Sequence, residues 1–448
     1  MSSEQRTKTN TGTKDVPTFS VQESYGNSWD FPMTGDEVII GRDSDCDIVV
    51  DRGETSRKHA KISRKDEQFW IEDLDSANGT FLNSAPITKR LEIKHMDIIQ
   101  IGSCMLVFND PNNLSSIDDT QTRKLSKELS FEFIKDVIRK LEQNIGKVFK
   151  GKPEIIRNVL ICLFADGHLL IEDVPGVGKS LLAQVLAKSI QANYKRIQFT
   201  PDMLPSDITG MNIYNEKTHG FEFMPGPIFG NVILADEINR TPPRTQSSLL
   251  ECMSESVVTI DGNPHVLPKP FFVMATQNPD DYHGTYPLPE PQLDRFMMRI
   301  SIGYPDQQAE QDILTTQAVT LPLNQISYVI KAMDVVRCNA MVRNVTVSDM
   351  VKEYIVKIAD ATRKHPALTS GCSPRASLSL MRICQSLAAY RNRDYVIPKD
   401  VREMVKPVLT HRISLKLRHQ GEWDSVENVI DSIIESIPME NEDKGLCQ

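Results

Sequence analysis

The sequence has 448 residues, of which 40% are hydrophobic and 25% charged, and its formal net charge is −9. This length allows about two to four globular domains. The acidic balance disfavours a protein that binds nucleic acid or a membrane surface mainly through electrostatics. No apolar run approaches the ~20 residues of a membrane span. Eight cysteines without a CxxC pair, and an amino terminus without the apolar stretch of a signal peptide, predict a cytoplasmic protein with reduced thiols.

The first part of the chain has the sequence pattern of short strands. Residues 1–18 are polar and rich in Thr and Lys, which predicts a disordered tail. Residues 19–109 contain short apolar runs such as "EVIIG", "DIVVD" and "DIIQIG", separated about every 8–12 residues by turn-forming residues. This pattern predicts an antiparallel all-β sandwich. Residues 110–127 are polar without periodicity, which predicts a linker.

A different pattern follows the linker. Helical segments alternate with continuous apolar runs, among them "HLLIE", "NVILA" and "FFVMATQ". Buried parallel strands joined by helices predict an α/β domain over residues 128–304. Helical patterns dominate residues 305–440, which predicts a smaller α-helical domain. The last residues, 441–448, are predicted to be a short tail.

The stretch "IEDVPGVGKS" (171–180) joins a predicted strand to a predicted helix. Two glycines at this junction allow backbone N–H groups to surround a phosphate at the helix N-terminus. Asp173 occupies the position of the first P-loop glycine, and we expect its carboxylate to face outward or to accept a loop N–H. A glycine-rich turn without a ligand is the alternative on this motif alone. The predicted ATP contacts are Gly176, Val177, Gly178, Lys179, which reaches the β- and γ-phosphates, and Ser180, which also ligates Mg²⁺.

Polar residues follow two further apolar strands. "NVILADE" ends in Asp236 and Glu237, which suit a ligand of Mg²⁺ and a base that polarises the attacking water. "FFVMATQN" ends in Asn278, which suits the orientation of that water. Two acids that simply end a strand are the alternative for one motif. Three strand ends with complementary chemistry favour one ATPase site that contains Lys179.

Six blocks of sequence follow one another over residues 128–440: "EDVPGVGKS", "PGPIFGNVILADEINR", "RTQSSLLECM", "ATQNP", "TYPLPEPQLDRF" and "SPRAS". They closely resemble the MoxR group of AAA+ ATPases. The resemblance implies an α/β P-loop AAA+ core with a C-terminal α-helical lid. It also implies that Arg295, in "QLDRF", is an arginine finger that enters the neighbouring subunit's site. Arg375, in "SPRAS", corresponds to the sensor-2 arginine, which binds nucleotide from the lid.

The same resemblance implies cofactors and partners. ATP and Mg²⁺ are the expected cofactors, and a homo-oligomeric ring, expected to be a hexamer, is the expected assembly. A protein client is implied, with von Willebrand A-domain proteins as candidates. Residues 209–227 and 257–268 alternate around turns and predict two hairpins. Such hairpins grip client protein in AAA+ relatives, and plain edge hairpins are the alternative.

Three blocks in the first domain, "IIGRDSDCDIVVD", "ETSRKHAKIS" and "DLDSANGTFLN", resemble the forkhead-associated (FHA) domain over residues 19–109. The resemblance implies a phosphothreonine reader, in which a guanidinium and hydroxyl or amide donors converge on the phosphate. His59 and Gly41 are expected to be structural. The implied phosphothreonine contacts are Arg42, Ser56, Arg57 and, for the peptide backbone, Asn78.

The sequence therefore predicts a phosphothreonine-regulated, MoxR-type ATPase that hydrolyses ATP at ring interfaces to remodel or mature a protein client. A non-hydrolysing FHA scaffold with a nucleotide-sensing body is one alternative. An AAA+ transcriptional activator is a second, disfavoured because no helix-turn-helix pattern follows the lid. The expected FHA ligand is a separate phosphoprotein or a phosphorylated threonine of this chain's own tail or linker, namely Thr7, Thr9, Thr11, Thr13, Thr18, Thr120 or Thr122.

Overall fold

The protein is described by a computed structural model that covers residues 16–22, 28–50, 55–65, 68–82, 85–94, 97–102, 104–110, 119–216, 219–278, 285–317, 322–416, 423 and 425–438. The chain divides into two compact units, Met1–Ser126 and Lys127–Gln448. Each unit is described by itself.

The first unit contains short strands: β1 (Thr18–Gln22), β2 (Ser28–Pro32), β3 (Glu37–Gly41), β4 (Ile48–Val49), β5 (Ala60–Lys65), β6 (Gln68–Asp73), β7 (Thr80–Leu82), β8 (Ala85–Pro86), β9 (Leu91–Ile93), β10 (Ile98–Ile101) and β11 (Cys104–Asn109). They form a six-stranded sheet in the order β2-β1-β11-β10-β7-β8 and a five-stranded sheet in the order β4-β3-β5-β6-β9. The predicted β-sandwich is confirmed.

Aromatic side chains join the two sheets of the sandwich. Phe108 of the six-stranded sheet lies 4.7 Å from Phe69 of the five-stranded sheet and 4.9 Å from Phe19, measured between ring centroids. All three rings are buried. Strand alternation places the apolar positions of both sheets in this shared core, and polar side chains face outward.

Helix α1 (Asp119–Gly146) begins inside the segment predicted to be a linker. Residues 119–127 of the predicted linker are therefore helical. Residues 119–127 contain Gln, Arg, Lys and Leu but no Gly or Pro, so local propensity extends the helix predicted after them. Residues 111–118 lie outside the part of the chain that the structure describes.

The strands of the second unit are β12 (Leu169–Glu172), β13 (Tyr194–Gln198), β14 (Gly210–Asn215), β15 (Gly220–Pro225), β16 (Val232–Asp236), β17 (Val257–Ile260), β18 (Asn263–Val266), β19 (Phe272–Gln277), β20 (Met298–Ile300), β21 (Leu368–Ser370) and β22 (Ser414–Leu415). After α1, its helices are α2 (Pro153–Phe164), α3 (Lys179–Ser189), α4 (Pro205–Thr209), α5 (Pro243–Glu255), α6 (Glu290–Leu293), α7 (Gln307–Gln317), α8 (Ala332–Val342), α9 (Asp349–Lys364), α10 (Pro374–Tyr390), α11 (Pro398–Leu409) and α12 (Val426–Ser436).

Five of these strands form a parallel sheet in the order β13-β16-β19-β12-β20. Its two faces are buried in two separate clusters. Leu169 and Ile171 pack on one face with residues of α2 and α3. Leu170 packs on the other face with Leu249 and Leu250 of α5. Because both faces are covered, the strands read as continuous apolar runs, and the predicted α/β core is confirmed.

Helices α8 to α12 form the smaller domain, which packs on the core. Arg412, almost fully buried, donates to the Phe296 carbonyl at 2.7 Å and to the Ser379 hydroxyl at 3.1 Å. Burial lowers the pKa of Arg412 to about 10, which leaves the guanidinium charged at neutral pH. Arg299 of β20 bridges Glu172 at 2.6 Å and Glu427 of α12 at 2.7 Å.

Both predicted hairpins are present, as β14–β15 and β17–β18. The second turns at Asp261 (φ 49°) and Gly262 (φ 82°), the two positive φ values of a type I′ turn. Among the helices that the structure describes, none combines the length and apolar character of a membrane span. The described cysteines are free and buried.

His168 is a buried connector at the start of β12. Its Nδ1 accepts the N–H of Val273 at 3.1 Å, and its Nε2 lies 3.0 Å from the Met253 carbonyl. Its own carbonyl accepts the N–H of Met297 at 2.8 Å. The ring is therefore neutral, with its proton on Nε2. Burial lowers the pKa of His168 below its ordinary value.

This histidine predicts an acid sensitivity of the second unit. Below about pH 6.5 the unfolded chain protonates His168 while the folded chain does not. This group therefore lowers the free energy of unfolding by about 1.4 kcal/mol for each unit by which the pH decreases. In His168→Gln the melting temperature should fall less steeply between pH 7.5 and 5, whatever its starting value. Exposed His219 supplies the control, His219→Gln. An identical slope in wild type and His168→Gln would contradict the assignment.

Candidate functional site

The loop between β12 and α3 has the backbone that a phosphate cradle requires. Gly176 and Gly178 have φ values of 88° and 93°, which are unfavourable for residues with a β-carbon. Gly178 is the N-cap of α3, and Lys179 is the first residue of that helix. Val177 between the glycines is buried, and Ser180 is half-buried. The predicted nucleotide contacts therefore lie together at one helix N-terminus.

Asp173 explains how the loop tolerates an acid where a glycine was expected. Its carboxylate is buried and accepts the N–H groups of Ile302 at 2.5 Å and Gly303 at 2.7 Å and the Ser301 hydroxyl at 3.1 Å. Its second oxygen accepts the N–H of Val174 at 2.9 Å. The carboxylate is thus bonded within the protein, as the sequence predicts, and anchors the loop to the segment after β20.

Lys179 lies among the acids of the site. Its Nζ donates to the Asp173 carbonyl at 2.7 Å. Burial lowers the pKa of Lys179, and the carboxylates of Asp173, Asp236 and Glu237 act in the opposite direction. The ammonium is partly removed from water and is available to a negatively charged ligand.

One buried hydroxyl positions both acids at the end of β16. Thr276 Oγ1 donates to Asp236 Oδ1 at 2.7 Å and accepts the N–H of Glu237 at 2.9 Å. Glu237 adopts a left-handed backbone conformation, with φ 57° and ψ 49°. Such strain in a residue with a side chain is found where surrounding contacts enforce it, often at functional sites.

Strand β13 supplies further contacts to these acids. Arg196 donates to Asp236 Oδ2 from Nη2 at 2.6 Å and from Nε at 3.2 Å. Gln198 donates from Nε2 to Glu237 Oε2 at 2.7 Å and accepts from Arg196 Nη2 at 2.7 Å. Asn278 directly follows β19. Since β12, β16 and β19 are parallel neighbours, their carboxyl ends bring Lys179, both acids and Asn278 to one edge of the sheet.

Arg196, Gln198 and Thr276 are absent from the sequence prediction. The signal that could have revealed the first two is the alternation in "YKRIQ", which places Arg196 and Gln198 on one face of a strand. The register then sets Gln198 opposite Asp236. Register cannot be read from one strand alone, so these contacts needed the structure.

The two predicted arginines lie elsewhere. Arg295 donates from Nη1 to the Leu250 carbonyl at 2.6 Å and to the Ser254 hydroxyl at 3.1 Å, both on α5 of its own chain. Arg375 is exposed in the first turn of α10. The N-cap of α10, Ser373, donates to Asp294 at 3.0 Å, so the segment that carries Arg295 contacts the helix that carries Arg375.

In the first unit, His59 organises the predicted phosphothreonine loops. This buried ring accepts the N–H of Ser56 on Nδ1 at 3.1 Å, and its Nε2 lies 3.2 Å from the Gly79 carbonyl. The Ser56 hydroxyl accepts the N–H of Ala77 at 3.0 Å, which leaves its own proton for another acceptor. His59 therefore joins two loops, and its predicted structural role is confirmed.

The other predicted phosphothreonine contacts lie on the loops that His59 joins or on the loop next to them. Arg42, Arg57 and Asn78 are exposed, and the N–H of Arg42 donates to the Ser56 carbonyl at 3.0 Å. A β-carbon on Gly41 would lie 2.2 Å from the Arg57 carbonyl oxygen, so this close approach requires glycine. Two guanidinium groups thus lie on adjoining loops at one end of the sandwich, which suits a phosphate.

Family models match three parts of the chain. Residues 168–298 match the ATPase family associated with various cellular activities (AAA), and residues 360–435 match the AAA lid domain. Residues 38–102 match the FHA domain. These matches coincide with the parallel-sheet core, the helical domain and the sandwich.

Relatives that are matched over most of their own length agree. The uncharacterized protein YeaC of Bacillus subtilis is 48% identical over 306 residues, which cover 68% of this chain and 96% of that relative. The chaperone MoxR1 of Mycobacterium tuberculosis is 39% identical over 304 residues, which cover 66% of this chain and 80% of the relative. The crystal structure of a predicted ATPase from Cytophaga hutchinsonii matches with a TM-score of 0.67 and 38% identity, over 71% of this chain and all but 1% of that one. The protein therefore belongs to the MoxR family of AAA+ ATPases and carries an amino-terminal FHA domain.

Proposed function

We propose that this protein hydrolyses ATP at the subunit interfaces of a homo-oligomeric ring, a hexamer, and uses the cycle to remodel or mature a protein client under phosphothreonine control. The observation that carries the proposal is the meeting of Lys179, Asp236, Glu237 and Asn278 at one sheet edge. The chaperone role named for the M. tuberculosis relative supports the remodelling function.

The chemistry follows from the residues. When bound, ATP supplies the phosphoanhydride and Mg²⁺ neutralises developing charge on its oxygens. The loop N–H groups of residues 176–180 and Lys179 would bind the phosphates, and Ser180 with Asp236 would hold Mg²⁺. Glu237 would take the proton of the attacking water, which Asn278 orients. The hydroxyl, carboxylate and ammonium groups at this edge fit both cofactors.

Two arginines would complete the site. Arg295 would leave α5 and stabilise transition-state charge in the neighbouring subunit, and Arg375 would contact nucleotide from the first turn of α10. The helix bearing Arg375 is bonded through Ser373 to Asp294, next to Arg295. This contact supports a link between lid position and finger position.

The β14–β15 hairpin supports client contact. Its exposed apolar side chains are unusual for a surface: Phe221 is 75% exposed and packs edge-on against half-exposed Tyr214 at 5.5 Å. Met211, Ile213 and Met224 are exposed beside them. A client with exposed apolar segments, such as a partly folded domain, suits this surface. Von Willebrand A-domain proteins remain the proposed client class.

The FHA ligand is proposed to be a separate phosphoprotein or a threonine of the amino-terminal tail. Thr18 lies in β1 and donates to the Val16 carbonyl at 2.9 Å, so its prediction as a residue of a disordered tail is wrong. Thr120 and Thr122 lie in the first turn of α1, which a kinase would have to unwind. Thr7, Thr9, Thr11 and Thr13 lie outside the described residues.

The proposed base predicts a separation of binding from turnover. Glu237→Gln should bind Mg²⁺·ATP with unchanged affinity and lose about 10²- to 10⁴-fold in turnover. Lys179→Ala should lose nucleotide binding. Exposed Glu353 and Lys357 of α9 supply matched controls, Glu353→Gln and Lys357→Ala. If the wild-type protein binds ATP but does not hydrolyse it, the result would favour the alternative of a nucleotide-sensing scaffold. If Glu237→Gln hydrolyses ATP at the normal rate, Glu237 is not the base.

The proposed finger predicts rescue between subunits. Arg295→Ala should bind ATP and lose hydrolysis, because its role is exerted on the neighbour. Mixed rings of Arg295→Ala and Lys179→Ala should recover part of the activity, since some interfaces pair an intact P-loop with an intact finger. Arg139→Ala, at an exposed residue of α1, is the control. Mixed rings that remain inactive, once mixing is verified, would assign Arg295 a role within its own chain.

The FHA loops predict selective binding. The full chain should bind phosphothreonine peptides roughly 100-fold more tightly than their unmodified forms, because the phosphate adds charge-assisted hydrogen bonds. Arg42→Ala should abolish this preference, because the charge-assisted pair is lost. Arg90→Ala removes an arginine that instead covers Trp70, with 5.2 Å from guanidinium to ring, and should be neutral. Calorimetric titration that finds equal affinities would refute phosphothreonine binding.

A further inference from the structure

The nucleotide site contains a cation that the proposed mechanism does not use. Arg196 makes an ion pair with Asp236, with 2.6 Å between Nη2 and Oδ2. The Asp236 side chain is 12% exposed, whereas that of Arg196 is 50% exposed. The pair therefore consists of a fixed, nearly buried carboxylate and a cation that reaches it from solvent.

Both carboxylate oxygens of Asp236 accept hydrogen bonds without a metal. Thr276 donates to Oδ1, and two nitrogens of Arg196 donate to Oδ2. A nearly buried carboxylate without an opposite charge would be strongly unfavourable. The guanidinium thus supplies, in the metal-free chain, the positive charge that Mg²⁺ would supply in the loaded one.

Two cations cannot share this carboxylate without repulsion. Mg²⁺ near Asp236 and a guanidinium bonded to Oδ2 would lie a few ångströms apart, where like charges repel even in a solvated site. Arg196 is the partner that can leave, because half of its side chain already faces water. Asp236 cannot leave, because Thr276 and its place in β16 hold it.

We propose that Arg196 is a positioning residue that competes with Mg²⁺ for Asp236. It keeps the carboxylate charge-compensated and correctly oriented in the absence of metal, and it yields Oδ2 when Mg²⁺·nucleotide binds. The inference rests on the proposed nucleotide function. Its consequence is that Arg196 weakens the binding of Mg²⁺ to the site.

The test measures nucleotide affinity without hydrolysis. The full chain is titrated with a fluorescent ADP analogue, once in EDTA and once in Mg²⁺, and the ratio of the two dissociation constants gives the metal enhancement. In Arg196→Gln this enhancement should rise about two- to fivefold, the effect of removing one partly screened charge pair. Arg196→Lys, which keeps the charge, should stay close to wild type.

Lys195→Gln is the matched control, because it removes one positive charge from the adjacent, exposed position of β13; its enhancement should equal that of wild type. Thermal unfolding adds a second readout. Arg196→Gln should melt at a lower temperature than wild type in EDTA, and Mg²⁺·ADP should narrow the difference.

Three results would overturn the proposal. An unchanged or reduced enhancement in Arg196→Gln would make the ion pair purely structural or a support for the metal. A loss of ADP affinity already in EDTA would make Arg196 a phosphate ligand. If Lys195→Gln and Arg196→Gln changed the metal enhancement equally, the change would come from net charge alone and not from the ion pair with Asp236. If wild type binds no ADP in either condition, the proposed nucleotide function itself fails, which is a distinct outcome.

Discussion

The parallel register of β12, β16 and β19 is the constraint on which the nucleotide site depends. Leu170 pairs with Ala275 and Leu234 with Met274, so the three strands end at the same level. Each strand is an apolar run buried on both faces, and burial of these runs stabilises the sheet. Polar side chains begin where these apolar runs end. Hydrophobic packing thus fixes the positions of a lysine, two acids and an amide that lie far apart in sequence.

This convergence is electrostatically unfavourable, because the adjacent carboxylates of Asp236 and Glu237 repel each other and are partly removed from water. Protein groups compensate them: Thr276 bonds both, Arg196 neutralises Asp236, and Gln198 holds Glu237. The left-handed backbone at Glu237 is held by the same hydroxyl. The site is therefore preorganised, and its acids do not depend on a ligand to stay in position.

The sequence predicts the classes of element and the chemistry of the strand ends well. Apolar runs such as "NVILA" report burial on both faces, and the polar residue after each run marks the end of the strand. Contacts that depend on the alignment of two strands are beyond its reach. Arg196 reads as an ordinary charged residue of a strand until its register with β16 is known. The helical start of α1 is not visible in the sequence, because a polar helical segment without apolar periodicity has the same composition as a linker.

Two adjacent acids anchor the end of β12: Asp173 bonds the segment after β20, and Glu172 is connected through Arg299 to α12 of the lid. Asp173 bonds the N–H groups of Ile302 and Gly303, in the segment that leaves the core toward α7. One residue earlier, Glu172 bonds Arg299, which also bonds Glu427 of α12. A movement of the lid away from the core must therefore break the Arg299 bridge or pull on the strand that ends in the P-loop. A glycine at position 173 would permit a similar turn but would remove one of these two connections. The acid at position 173 thus ties the β12–α3 loop to the segment after β20, whereas the connection to α12 runs through Glu172 and Arg299.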